Sequence, residues 1–193
     1  MADPMKWFLA RPLWQRLTIA AVIFVPFATW IVWLNVNHED DVVWADNAKV
    51  WDKVPITVYA EDFSRATKSA VDIWNGSAGC TVLALTDDKA AADITVKSTD
   101  GTPCGELMAP GMLPNHAGGA YLCGDKGEAH IAYPGDLRQQ LVVVGHEVGH
   151  LLGFGDDDTG CRLMRGSVEA VLACEIIYPS DSDRKALRAR YCE

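Results

Sequence analysis

His146, Glu147 and His150 fall in the order His-Glu-Val-Gly-His, and two histidines four positions apart stand one turn above each other on the same face of an α-helix. Both imidazoles can then reach one ion, and zinc is the ion such a pair suits. Glu147 lies beside the first histidine, where its carboxylate can take a proton from a water activated by the metal instead of binding the metal itself. Three residues after His150 comes Gly153, and a glycine there can end the helix in a left-handed turn that swings the chain back toward the ion. Asp156 then arrives as the third ligand. The fourth position stays open for water or a substrate carbonyl, which is the arrangement of a catalytic zinc site rather than a closed structural one. The chemistry these residues suggest is hydrolysis, with Glu147 as general base that later hands its proton to the leaving amine. Asp157 and Asp158 read as solvated turn residues, although either could compete with Asp156 for the metal.

Such a motif needs a helix to carry it and a core to hold the helix still. The apolar pattern predicts strands over residues 55–59, 81–85 and 93–97, and an amphipathic helix over 63–74. A Gly- and Pro-rich loop spans 100–118, two further strands cover 120–123 and 130–133 with a turn at 124–127 between them, and the zinc helix runs over 137–152. The last helix covers 181–190, with Ser180 as its N-cap. His116 and His130 lie outside the motif and read as loop or sheet residues. Asn75-Gly76-Ser77 fits a glycosylation sequon.

The extended pattern, His146 to Asp156, resembles the metzincin metallopeptidases, and an aspartate as third ligand resembles the snapalysin family of small secreted bacterial peptidases. Residues 161–164, Cys-Arg-Leu-Met, resemble the segment leading to that family's Met-turn, which implies that Met164 packs beneath the zinc. Residues 70–75 are similar to the first long helix of that fold, and Tyr178-Pro179 followed by Asp183-Arg184 to the start of its last helix. The resemblance spans about residues 54–193 and implies an α+β fold: a twisted mixed sheet, a backing helix, an active-site helix, a Met-turn and a C-terminal helix. It further implies zinc-dependent endopeptidase activity on peptide or protein substrates, with the substrate added as a strand along an edge at 119–123 that includes Tyr121. Tyr178 resembles a residue near the family's primed-side pocket. Two features depart from the pattern: no tyrosine follows the third ligand, and residues 139–142, Gln-Gln-Leu-Val, offer no carboxylate, so calcium is not expected.

The front of the chain reads as a separate unit. Residues 17–34 form an 18-residue run without charge, long enough as a helix to cross the roughly 30 Å hydrocarbon core. Lys6, Arg11 and Arg16 precede it while Glu39, Asp40 and Asp41 follow it, so residues 1–16 are expected in the cytoplasm and the rest outside. A cleaved signal peptide is the alternative, with Val43-Trp44-Ala45 as its best cleavage site, and the uncleaved transmembrane anchor is favoured because that site lies far from the apolar run. Residues 35–53 are then a stalk and 54–193 the metallopeptidase domain.

The six cysteines, at 80, 104, 123, 161, 174 and 192, all follow the apolar run, as disulfides of an exported domain would. The snapalysin resemblance implies the pair Cys161–Cys174. The other four allow three pairings, of which Cys104–Cys123 with Cys80–Cys192 is favoured. No CxxC spacing points to structural zinc. A net charge of −9 argues against nucleic acid as a partner, and a domain of about 140 residues can bury one core as a monomer. Two other readings share the motif: a membrane-tethered zinc-binding protein that does not cleave, and a hydrolase of cell-wall peptides.

Overall fold

Alternation of apolar and polar residues builds the central sheet. In the computed structural model, which describes residues 42–45, 48–99, 102–105, 117–132, 135–174 and 177–192, β1 (Ile56–Ala60) pairs in parallel with β2 (Leu83–Leu85) on one side and β3 (Ile94–Ser98) on the other. β3 pairs in parallel with β5 (Lys126–Ile131), and β4 (Gly118–Cys123) closes the sheet antiparallel to β5, giving the order β2-β1-β3-β5-β4. Ile56, Val58, Ile94, Val96, Ala129 and Ile131 all point to one face and are buried. The register Val58↔Ile94 and Val96↔Ala129 keeps that face continuous from strand to strand.

Two helices cover this face. Helix α1 (Ser64–Ala78) buries Ala66, Ala70, Val71, Trp74 and Ala78 at helical spacing, and stops at Gly79 in a left-handed conformation, φ 73°. It extends a turn beyond the expected end at residue 74 because Ala78 continues the buried stripe. The polar triplet at 75–77 sits inside the helix. There Asn75 Nδ2 donates to Leu83 O at 2.8 Å, and its Oδ1 accepts from Val82 N–H and Leu83 N–H at 2.9 and 2.8 Å, so the amide of the sequon fastens α1 to β2. Helix α2 (Leu137–Leu151) opens with a reciprocal capping box between Asp136 and Gln139 and packs against α1, β4 and β5. Helix α3 (Val168–Leu172), which the pattern did not predict, is a short segment capped by Ser167. Helix α4 (Asp181–Tyr191) has Ser180 as its N-cap.

Strand β5 runs over 126–131, not the expected 130–133. Its first residues, Lys-Gly-Glu, have low strand propensity, yet the hairpin closes tightly at Gly124, φ 69°. Gly127 lets Leu151 pack closely on the strand, since a Cβ would lie 2.9 Å from Leu151 Cδ2.

Among the described residues no helix is long and apolar enough to cross a membrane. The longest, α1 and α2, have 15 residues each, about 22 Å of helix against a hydrocarbon core of about 30 Å. The expected transmembrane helix and the single-pass membrane placement are corrected on this ground; residues 17–34 themselves lie outside the described residues. The second half of the expected stalk, 48–53, lies partly against the domain. Trp51 is buried and its Nε1–H donates to Leu151 O at 2.7 Å, while Trp44 stacks on Phe154 with centroids 5.1 Å apart. Apolar indoles with a surface to cover do not stay in a solvated linker.

Three disulfides join Cys80 to Cys192, Cys104 to Cys123 and Cys161 to Cys174, across separations of 112, 19 and 13 residues. A single carboxylate links the Lys53 end of β1 to β3. Asp93 Oδ2 accepts from Thr57 N–H and Oγ1–H at 2.8 and 2.7 Å, and Oδ1 faces Lys53 Nζ at 3.0 Å. Burial pushes its pKa up, but these partners outweigh it and hold the group below its ordinary value of 3.8. A depressed folded-state pKa stabilises above the unfolded value and is lost as pH falls through the folded one. Asp93→Asn should therefore cost about 1–3 kcal/mol at pH 7, and its deficit against the wild type should shrink as pH falls below the ordinary value of 3.8. Urea unfolding of both proteins across that pH range measures this.

Candidate metal centre

Helix α2 places His146 and His150 on one half-buried flank, with ring centroids 4.5 Å apart. After Leu152 the chain turns at Gly153, φ 103°, a conformation that favours glycine. The loop that follows brings Asp156 Oδ1 to 3.2 Å from His146 Nε2 and 3.6 Å from His150 Nε2. Ligands about 2.0–2.1 Å from a tetrahedral zinc lie roughly 3.3 Å from one another. The donor atoms of His146, His150 and Asp156 all lie within 4.8 Å of each other and fit that geometry.

The second ring nitrogens explain why these donors point where they do. His146 Nδ1 is 3.0 Å from Leu163 O, and His150 Nδ1 is 2.8 Å from Phe154 O. A carbonyl can only accept, so each Nδ1 carries a proton and, in the neutral ring, each Nε2 presents a lone pair. Two lone pairs and a carboxylate oxygen thus converge, an arrangement that asks for a cation between them. For His146, burial opposes protonation, but the hydrogen bond to Asp156, the Glu147 charge and the Leu163 carbonyl together raise its pKa. Burial and the nearby His146 lower that of His150, against the pull of the Phe154 carbonyl and Asp156.

The turn at 163–164 braces the site from below. Leu163 O holds His146, Leu163 N–H donates to Tyr178 O at 3.1 Å, and Met164 O accepts from Asp157 N–H at 2.7 Å. The Met164 side chain is 1% exposed and fills the space against Gly149, where any Cβ would collide with its sulfur and lie 2.7 Å from Trp74. Gly149 therefore lets Met164 and Trp74 pack directly on the helix backbone between the two histidines. Trp74 Nε1–H also donates to Gly145 O at 2.9 Å.

Glu147 is 6% exposed beside the histidines. Burial, reinforced by Asp156 and opposed by His146, pushes its carboxyl up to about 7. It lies against Gly118, where a Cβ would stand 2.7 Å from Glu147 Oε1. Asp157 is engaged elsewhere than the three converging donors: its carboxylate pairs with Arg162 and accepts from Thr159 N–H and Oγ1–H at 2.9 and 2.7 Å. Burial works against its ionisation, but the Thr159 bonds and the Arg162 charge hold its pKa low.

A cleft of about 440 Å³ opens over these groups, walled by residues 117–120 of the edge strand on one side and by 165–169 on the other. Tyr121 does not line it. Its ring meets His130 edge-on with centroids 5.0 Å apart, and burial, with the Glu147 charge added, raises its pKa. Tyr178, expected at the substrate pocket, instead lines a separate shallow pocket with Asp72, Ile73, Gly76, Ser77 and Arg184. Only its backbone carbonyl reaches toward the site, through Leu163. Sequence reasoning missed Gly118, Gly149 and the 165–169 wall. The glycine between the histidines and the Gly118-Gly119 doublet were the available signals, since each marks a close approach by a neighbour.

Neither protein-family models nor curated proteins give a match to this chain.

Proposed function

We propose that this chain is a zinc-dependent endopeptidase, built like the snapalysin-type metzincins and acting on peptides outside the cytoplasm. The observation that carries the reading is the convergence of two Nδ1-capped imidazoles and one carboxylate beside a buried glutamate. His146, His150 and Asp156 would hold the ion. When bound, zinc acts as a Lewis acid that polarises a carbonyl and lowers the pKa of water from 15.7 toward about 7.

The protein's own groups do the rest. Glu147 takes the proton of the attacking water and delivers it to the departing amine nitrogen, the work of a positioned general base and acid. Strand β4 ends the sheet and its first residues line the cleft, so an extended peptide can lie there as a further strand. Three disulfides fit an oxidising compartment. A purely structural zinc site has no use for a carboxyl kept ionisable at this cost, which speaks against the non-cleaving reading.

The test is incubation of the full chain with a broad mixture of peptides, and separately with cell-wall peptides, with and without a chelator. Cleavage of ordinary peptides should vanish with the chelator and return on adding zinc. Protein that retains zinc yet cuts nothing would favour the binding-protein reading, and cleavage confined to cell-wall peptides would narrow the substrate to that class.

A further inference from the structure

Residues 43–45 lie along the loop that delivers Asp156. Ala45 N–H donates to Gly153 O at 3.0 Å and Gly155 N–H to Val43 O at 2.7 Å, so Trp44 and Phe154 face each other in one antiparallel bridge. Their rings stack with centroids 5.1 Å apart, and Phe154 stacks in turn on Trp74 at 5.3 Å. The Arg190 guanidinium lies 3.6 Å from the Trp44 ring centroid. Gly155 allows this approach, since a Cβ there would be 2.9 Å from Val43 Cγ1 and 3.2 Å from the Trp44 carbonyl.

Phe154 is thus gripped from outside by the strap while its own carbonyl orients His150 Nδ1 at 2.8 Å. Two residues later comes Asp156. We infer that the 43–45 strap is a positioning element of the metal centre: it fixes the Phe154 carbonyl and the path of the 153–156 loop, and so sets how well the three donors converge. The inference rests on the zinc reading above. Because linkage is reciprocal, a strap that favours metal binding must itself be held more firmly once metal is bound. A chain cut after Ala45 would lose the whole strap and both of its backbone hydrogen bonds to the 153–155 loop.

The test uses the full chain and zinc alone. Trp44→Ala should weaken zinc binding about tenfold in chelator competition, at the low end of what outer-shell partners contribute, and Trp44→Phe should recover most of the loss by keeping a ring to stack. In the unaltered protein, zinc should slow amide hydrogen exchange at Ala45 and Gly155. A merely structural strap would lower the melting temperature of the metal-free protein and leave zinc affinity alone. Affinity within about twofold of wild type in Trp44→Ala, or exchange at these amides indifferent to zinc, overturns the inference. The exchange experiment decides the matter even where Trp44→Ala fails to fold. Failure of the unaltered protein to take up zinc would instead overturn the metal centre, and the strap's role with it.

Discussion

Glu147→Gln should keep zinc and fold but lower peptide hydrolysis by about 10²–10⁴-fold, the range that general-base catalysis supplies. The variant is nearly isosteric, which matters because Gly118 leaves only enough room for the existing side chain, with Oε1 2.7 Å from where a Cβ would stand. All three donors remain, yet an amide cannot take the proton from water. Its burial beside the three donors places Glu147 as the group to accept and release that proton. kcat/KM on a peptide the wild type cleaves, measured beside zinc stoichiometry, checks this. Undiminished cleavage in the variant would remove Glu147 from the role.

His150→Ala strikes a donor instead. It leaves His146 and Asp156, two donors where three converge, and a two-donor site holds zinc weakly. Zinc affinity should fall by more than the roughly 10–100-fold that loss of an outer-shell partner costs, with hydrolysis lost in parallel. Wild-type affinity should also decline in acid, since protonated imidazoles cannot bind metal. Chelator competition with both proteins at several pH values measures the two effects together. Equal zinc binding by the variant would mean that the ion, if any, sits elsewhere.

How much of this was readable in the sequence depends on how local the cause is. His146, Glu147 and His150 share one helix, so their relation follows from its 3.6-residue period. Asp136 and Gln139, three apart, are likewise a local signal for where that helix starts. The strands at 56–60 and 94–98 alternate cleanly and were legible for the same reason. The later hairpin was less so: Lys126-Gly127-Glu128 looks like turn sequence, and only the nearness of Leu151 explains the glycine. Tyr178 shows the limit of reasoning by position, because the route of the chain from 165 to 178 sends its phenol to another pocket. Trp44 and Trp51 were read as part of a linker because their partners, Phe154 and the Leu151 carbonyl, lie about a hundred residues away.

The Cys80–Cys192 bond closes a covalent ring that contains both other disulfides and the whole of the zinc motif. Any single break of the chain inside that ring leaves two fragments that still travel as one molecule. A nick inside the ring, by whatever protease, would go unseen by size until a reductant was added. The ring therefore gives the protein a tolerance to damage that is lost together with its oxidised state: reduction would open the loop and remove the covalent tie between the fragments of a nicked chain.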